Sequence, residues 1–268
     1  MGREGVIVDE KYPAPPKGTR TVQAVKHLGD ILRHVAKSAT PVRINELARC
    51  VGLDKSSVSR LVSSLEAEKL LQRGEDGNVR LGMGLLAIAA PLMHDLGLST
   101  HVRPSLEALA KRLGETVNLS VWNGGESVSV VQALGSSAIT HFAVPGRTNP
   151  AHCTASGKVL LAYQPDDVIE RALSEPLARY TDMTVLDPTI LRRQLLEIRD
   201  SGYAVNIGEF ASDVCAVSAP VFNLDASIVG ALTVTIPAYR FDDAKQAEII
   251  GEMLAAANDL SEQFGHRR

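Results

Sequence analysis

The stretch Ile44–Glu68 constrains the fold of this chain more than any other part of its sequence. Two helices that cross closely need a small residue at their contact, and Ala48 supplies it. The turn between them favours a residue that accepts positive φ, and Gly52 follows four positions later. Val58 lies ten positions after Ala48, where it would hold the second helix against the first, and Asp54 offers that helix an N-cap. The spacing therefore predicts a helix-turn-helix.

The outward face of the second helix combines small hydroxyl groups with cations. Small hydroxyls let a helix lie deep in a major groove, while Lys and Arg supply charge and bidentate donors. A hairpin with its turn at Asp76-Gly77 follows the helix and would act as a wing. The candidate DNA contacts are Lys55, Ser56, Ser57, Ser59, Arg60, Ser63, Arg73, Asn78 and Arg80. A small helical bundle with a solvated polar face would share the serines, but it would not explain the spacing, cap, wing and charge together.

Charge and aromatic residues are unevenly placed along the chain. Residues 1–82 contain 14 Lys and Arg against 10 Asp and Glu, a net charge of +4. Because the whole chain has a net charge of −3, residues 83–268 carry −7. No Phe, Tyr or Trp lies between Tyr12 and Trp122, whereas proteins that hold single strands usually stack bases on aromatic rings. The basic front part therefore favours double-stranded DNA as its partner.

The remaining sequence changes from helical periodicity to alternation. A largely apolar helix at 84–98 contains Pro91, a second helix follows at 101–113, and Asn123-Gly124-Gly125 predicts the turn of a hairpin. Further helices are expected at about 155–163, 166–173, 188–200 and 242–263, and strands at about 116–122, 127–134, 203–207, 214–222 and 228–236. These elements predict an α+β domain with an antiparallel sheet flanked by helices.

Four segments are expected from this organisation: a flexible tail at 1–20, a winged helix-turn-helix domain at 21–83, a linker helix at 84–100 and the α+β domain at 101–268. The three cysteines are far apart and form no CxxC pair, which argues against disulfides or a zinc site and favours the reducing cytoplasm. No apolar run is long enough for a signal peptide core or a membrane span, so no membrane association is expected.

Two short motifs resemble cofactor or catalytic sites but lack essential parts. Residues 82–87 fit G-x-G-x-x-A, yet no buried strand and βαβ unit surround them. Residues 154–158 lack the first glycine of a phosphate loop and the serine of a Ser-x-x-Lys nucleophile. His152 and Cys153 are adjacent on an extended segment and would point to opposite faces, which favours a buried or gating role. No catalytic residue, metal or cofactor is expected.

The chain from about residue 20 to 265 resembles the IclR family of bacterial transcription regulators. The resemblance rests on TVQAVKHLGDILRHVA, the helix-turn-helix, VRLGMGLLAIA, AHCTASGKVLLA, GYAVNIGEFASDVCAVSAPVFN and VGALTVTIP, in this order. It implies a winged helix-turn-helix joined by a helix to a GAF-like effector-binding domain. It also implies dimers or dimers of dimers on a palindromic operator.

The resemblance further implies an effector site at Ala155, Ser156, Gly157, Asn206, Cys215, Ala216, Thr233 and Thr235. Some family members have an acidic residue where Asn206 stands and a cysteine where Ala216 stands. The residues themselves agree with a site, because a helix N-terminus near Ser156 and Gly157 attracts anions. Thr233 and Thr235 would share one face of a strand. The alternative is that the threonines are only good strand formers and Gly157 only packs closely; Cys215, amid apolar neighbours, also fits a small core residue.

These features predict a ligand-responsive regulator, a repressor or an activator, controlled by a small organic effector of the carboxylic acid class. Two competing hypotheses are weaker: an enzyme with a DNA-binding appendage lacks a catalytic residue set, metal spacing or cofactor loop, and a protein–protein adaptor does not explain the basic front part. A homodimer or homotetramer is expected, because Val25, Leu28, Leu32 and Val35 form an apolar stripe that a small domain cannot hide completely.

Overall fold

The computed structural model describes residues 22–38, 40–74, 76–95, 102–136 and 144–266. Its internal contacts divide the chain into two compact units, with the division between Pro91 and Leu92. The tail expected at 1–20 and the last part of the expected linker helix, 96–100, lie outside the described residues.

The N-terminal unit is a three-helix core followed by a short hairpin. Its elements are α1 (Gln23–Lys37), α2 (Ile44–Val51), α3 (Lys55–Ala67), β1 (Leu71–Arg73), β2 (Val79–Leu81) and the start of α4 (Gly84–Asp95). The strands β1 and β2 pair antiparallel, so the predicted winged helix-turn-helix is confirmed. The core consists of Ile31, Val35, Val42, Leu47, Val58, Val62, Leu65, Leu71 and Val79.

The turn between α2 and α3 follows the predicted chemistry. Gly52 ends α2 in the left-handed region, with φ 67° and ψ 29°, a conformation that costs glycine little. Asp54 caps α3 by accepting a 2.9 Å hydrogen bond from the backbone N–H of Ser57. Val58 is fully buried and Ala48 packs against the same core. These contacts fix which face of α3 points outward.

The glycines of the G-x-G-x-x-A segment pack against the turn that follows α3. A Cβ at Gly82 would lie 2.2 Å from the carbonyl oxygen of Lys69, and one at Gly84 would lie 2.7 Å from it. The amide of Gly84 donates to that oxygen at 2.9 Å, and the amide of Gly82 donates to Leu70 at 2.9 Å. Close backbone packing therefore accounts for both glycines.

Two details of this unit differ from the sequence prediction. The buried face of α1 includes Ile31, which was not in the expected stripe, whereas Val25 is 66% exposed. Val42 forms an isolated bridge with Val79, exchanging two 2.8 Å backbone hydrogen bonds. This bridge to the wing was not predicted, because a single-residue pairing leaves no alternation to detect.

The C-terminal unit contains a six-stranded antiparallel sheet in the order β5-β4-β3-β8-β7-β6. Its strands are β3 (Thr116–Asn123), β4 (Glu126–Ala133), β5 (Thr148–Pro150), β6 (Ala204–Ile207), β7 (Val214–Phe222) and β8 (Ile228–Pro237). Its helices are α5 (Arg103–Leu113), α6 (Ala155–Ala162), α7 (Asp166–Ser174), α8 (Pro188–Ser201) and α9 (Asp243–Gln263). The predicted α+β architecture is confirmed, and β5 is the one strand of this sheet that was not predicted.

The two faces of the sheet differ in chemistry. One face packs an apolar cluster against α5 and α9. The other face packs mainly against α6, and α7 and α8 pack on α6 in the same apolar cluster. The α6 side of the sheet also carries buried polar groups, including Asn118, Ser218 and Thr233. Polar side chains at this depth need partners, so this face is where a ligand site can form. Among the described residues, no helix combines the length and apolar character needed to cross a membrane.

Candidate functional site

The outward face of α3 presents two exposed cations. Lys55 and Arg60 are exposed, and neither forms an ion pair within the described part of the chain. Ser63 is exposed and Ser59 is half-buried on the same side. Because Val58, Val62 and Leu65 bury the opposite face, this surface can approach a polyanion without rearrangement of the unit.

Two of the expected contact serines already have partners inside the protein. The hydroxyls of Ser56 and Ser57 donate to the carboxylate of Asp54, the latter at 2.7 Å. These bonds hold the pKa of Asp54 well below its usual range, so the cap remains anionic. A hydroxyl has one hydrogen to donate. In this conformation, Ser56 and Ser57 therefore serve the cap, while no residue in the described part of the chain bonds the hydroxyls of Ser59 and Ser63.

Of the three wing residues expected to contact DNA, two have partners inside the protein. The guanidinium of Arg73 pairs with Glu66 through hydrogen bonds of 2.9 and 3.2 Å. Asn78 donates its side-chain amide to Asp76 at 2.7 Å, which stabilises the turn. Arg80 is exposed on β2, and the described residues offer it no ion-pair partner. Arg80 is therefore the wing cation best placed to meet a phosphate.

A cavity of about 330 Å³ opens between α6 and the polar face of the sheet. The N-terminus of α6 forms one side, β3, β7 and β8 contribute the floor, and the loop between β6 and β7 contributes a wall. Its lining residues are Asn118, Arg147, Asn149, Thr154, Ala155, Ser156, Asn206, Phe210, Ala211, Val214, Ala216, Thr233 and Thr235. The volume lies at the lower end of the range for ligand pockets, about 300–1,000 Å³.

The cavity brings together six of the eight residues expected at an effector site: Ala155, Ser156, Asn206, Ala216, Thr233 and Thr235. Cys215 is outside the lining, because it alternates with Val214 and Ala216 and points to the other side of β7, where it is buried. Gly157 is also outside. A Cβ there would lie 2.4 Å from Ala151 Cα, so its role is close packing.

The other lining residues were not predicted. Asn118 comes from β3, Arg147 and Asn149 come from the neighbourhood of β5, and Thr154 caps α6. Phe210, Ala211 and Val214 come from the β6–β7 loop and the start of β7. A polar residue at the centre of a strand, such as Asn118, was the available signal, because alternation places it beside Thr116 and Ser120 on one face.

Asn206 is held by the protein as well as lining the cavity. Its side-chain amide donates to the carbonyl of Cys153 at 2.6 Å and accepts from the backbone N–H of Glu209 at 3.3 Å. Glu209 in turn receives the ammonium of Lys158 at 2.6 Å on both carboxylate oxygens. Lys158 is 2% exposed. This buried pair connects α6 with the loop that carries the Phe210 wall of the cavity.

The cavity is suited to an anionic group. Arg147 is the one charged side chain in the lining that the structure describes. Thr154 caps α6 by accepting from the amide of Gly157 at 3.2 Å. The amides of Ala155 and Ser156 have no acceptor within the described residues, and both belong to lining residues. A helix N-terminus with open amides beside a guanidinium favours a carboxylate.

The neighbouring histidine and thiol are both buried. Burial raises the pKa of the Cys153 thiol, so it stays protonated at neutral pH. Burial also disfavours the charged form of His152 and therefore lowers its pKa. The ring Nε2 of His152 lies 2.9 Å from the carbonyl oxygen of Ala178. The buried placement expected for this pair is confirmed. Within the described ranges, no group of three or more His, Cys, Asp or Glu side chains could hold a metal ion.

Both units match models of one protein family. Residues 24–75 match the IclR helix-turn-helix domain, and residues 90–262 match the bacterial transcriptional regulator IclR C-terminal domain. The HTH-type transcriptional regulator Rv1719 of Mycobacterium tuberculosis is 32% identical over 244 residues, covering 91% of this chain and 93% of the relative.

The fold also resembles solved structures of IclR regulators. An IclR transcriptional regulator from Silicibacter sp. TM1040 superposes with a TM-score of 0.79 at 28% identity, covering 91% of this chain and 97% of that one. An IclR homologue from Microbacterium hydrocarbonoxydans, complexed with 4-hydroxybenzoate, has a TM-score of 0.76 at 25% identity and covers 90% and 98%. The chain therefore belongs to the IclR family of helix-turn-helix transcriptional regulators.

Proposed function

We propose that this protein is a ligand-responsive transcription regulator that reads double-stranded operator DNA through α3. The observation that carries the proposal is the exposed α3 face, whose Lys55 and Arg60 have no ion-pair partner among the described residues. Arg60 would read a base edge, Lys55 and Arg80 would meet phosphates, and Ser59 and Ser63 would donate to the backbone. Ser56, Ser57, Arg73 and Asn78 would contact DNA only after exchanging their present partners.

The effector that fits the cavity best is a small organic acid. Three features support this assignment: the guanidinium of Arg147, the open amides of Ala155 and Ser156, and a described lining without carboxylates. The ligand named for the Microbacterium hydrocarbonoxydans homologue, 4-hydroxybenzoate, is such an acid. The acid would be bound and released unchanged, which distinguishes a regulator from an enzyme with a DNA-binding appendage.

We also propose that the protein is located in the cytoplasm. The proposed bounds are 21–83 for the winged helix-turn-helix domain, 84–100 for the linker helix and 101–268 for the effector-binding domain.

Of the two threonines that line the cavity on β8, Thr235 is the better position at which to test effector contact. Thr233 shares a 2.9 Å hydrogen bond with Ser218, whereas the hydroxyl of Thr235 lines the cavity without a hydrogen-bond partner among the described residues. Thr235→Val keeps the shape and removes the hydroxyl. We expect it to weaken binding of an acid selected by thermal shift by about 3- to 10-fold, the net value of one hydrogen bond. Calorimetry measures this change.

A gel shift without ligand is the control for Thr235→Val. DNA affinity should remain that of the wild type, because the substitution lies in the C-terminal unit. Equal acid affinities in the two proteins would place the effector elsewhere. Loss of DNA binding without ligand would mean that Thr235 is a structural residue.

We propose a dimer, or a dimer of dimers, as the DNA-binding form. Val25 on α1 and Leu86, Ile88 and Leu92 on α4 are all more than half exposed, and exposed apolar surface of this kind marks an interface. A two-fold dimer would match half-sites about one helical turn apart. Sedimentation velocity at micromolar concentration should show no monomer, and a monomer alone would rule out the proposed assembly.

A further inference from the structure

An acidic residue interrupts the surface of α3 that is proposed to meet DNA. At about 100° per residue, Lys55, Ser59 and Glu66 lie within about 40° of one another around the helix axis. Lys55 and Ser59 are proposed DNA contacts, so the carboxylate of Glu66 continues their stripe. A carboxylate beside a phosphate backbone opposes binding, because like charges repel.

The wing supplies the cation that neutralises this carboxylate. The guanidinium of Arg73 donates to both oxygens of Glu66, from Nε at 3.2 Å and from Nη2 at 2.9 Å. Arg73 follows the buried Leu71 by two positions on β1, so alternation turns its side chain toward the same side as the core. The two side chains are 33% and 26% exposed, which leaves the pair at a surface that a duplex can reach. Two donors of the guanidinium are thereby withheld from phosphates.

The wing has other anchors that hold its position. Leu71 and Val79 are buried in the core of the N-terminal unit, and Val79 exchanges two 2.8 Å backbone hydrogen bonds with Val42. The amides of Gly82 and Gly84 hold the end of the hairpin on the turn after α3, each through a 2.9 Å hydrogen bond. Exposed ion pairs contribute little to stability. Stability alone therefore does not account for a carboxylate on this surface.

We infer that Glu66 limits the affinity of the protein for DNA of any sequence, because it holds Arg73 in an ion pair away from the phosphate backbone. This role rests on the proposed function, since it requires that α3 meets a duplex. Phosphate contacts carry no sequence information, so the restraint acts equally on operator and non-operator DNA. It keeps the complex within a range that an effector can reverse, because coupling between two ligands is typically about 5- to 150-fold.

The variant Glu66→Gln tests this role, because it removes the charge, keeps the shape and releases Arg73. Anisotropy titrations at several salt concentrations would use a labelled duplex from upstream of the protein's own gene and a scrambled duplex of the same composition. We expect the variant to bind both duplexes about 3- to 10-fold more tightly at about 0.1 M salt, with a salt slope steeper by about one, the contribution of one phosphate contact. Wild-type affinity and slope, or weaker binding, would overturn the inference and leave the pair as a support for the wing.

Glu68→Gln is the matched control for the loss of charge. Glu68 is exposed at the end of the same helix and has no ion-pair partner among the described residues. Two positions along a helix place it about 160° around the axis from Glu66. Its affinity should stay within about twofold of the wild type, because salt screens an exposed charge that faces away from the DNA. A gain equal to that of Glu66→Gln would show that loss of any nearby negative charge suffices, which would contradict the role of the pair.

The double variant Glu66→Gln/Arg73→Ala assigns the gain to the arginine. It should lose both the added affinity and the added slope, because the released cation is gone; a gain that survives would rule out the role of Arg73. The variant Lys55→Ala/Arg60→Ala separates this inference from the proposed function. Weaker binding by that variant beside an unchanged Glu66→Gln protein would overturn the restraint alone. Equal affinity of the wild type and both variants would overturn the DNA-reading role of α3 as well.

Discussion

Replacing Lys158 by methionine is expected to destabilise the C-terminal unit by about 3–5 kcal/mol, because it leaves the carboxylate of Glu209 buried and unpaired. The two side chains are 2% and 10% exposed, and the ammonium contacts both carboxylate oxygens at 2.6 Å. The carbonyl of Glu209 also accepts from Thr184 at 2.7 Å, so the loop carrying Phe210 depends on this residue at several points. Urea unfolding measures the loss.

The chain offers a selective signal for that experiment. Trp122 is its single tryptophan and lies on β3, so tryptophan fluorescence reports the C-terminal unit alone. The double variant Lys158→Met/Glu209→Gln is the control, because it removes both charges and should recover much of the lost stability. A Lys158→Met protein within about 1 kcal/mol of the wild type would show that the pair is not important for stability, since typical substitutions already cost that much.

The parts of the fold that sequence predicted well depend on local chemistry. Gly52 and Val58 define the turn and the buried face of α3 through short-range spacing, and the Asp76-Gly77 turn defines the hairpin. Each of these requirements is satisfied within a few residues of the chain, so single positions carry the information. The N-terminal unit was therefore predictable almost completely.

The cavity was predictable only on its α6, β7 and β8 sides. Asn118 and Arg147 reach it because β3 pairs with β8 and because β5 pairs with β4 at the sheet edge. Strand order across such distances leaves no periodic signal in the sequence. The partners of individual side chains could not be predicted from the sequence either. The pattern places Arg73 on the wing, but its ion pair with Glu66 depends on how the hairpin packs on α3.

The second large effect concerns α3 itself. Arg60→Ala should cost about 1–3 kcal/mol of DNA-binding free energy if the guanidinium reads a base edge, and Lys55→Ala should lower the salt slope of binding by about one. Neither side chain has an ion-pair partner among the described residues, and alanine favours helix. The double variant should therefore keep its fold and lose affinity by at least about tenfold.

The measurement that tests the account most directly is an anisotropy titration of a labelled duplex from upstream of the protein's own gene. It compares the wild type, Lys55→Ala/Arg60→Ala, and the matched control Lys111→Ala/Arg179→Ala, which removes the same charge from exposed positions of the C-terminal unit that, among the described residues, also have no ion-pair partner. We expect tight duplex binding by the wild type and the control, and at least about tenfold weaker binding with a smaller salt slope for the α3 variant. Equal affinity of all three proteins would contradict the assignment of α3 as the DNA-reading helix.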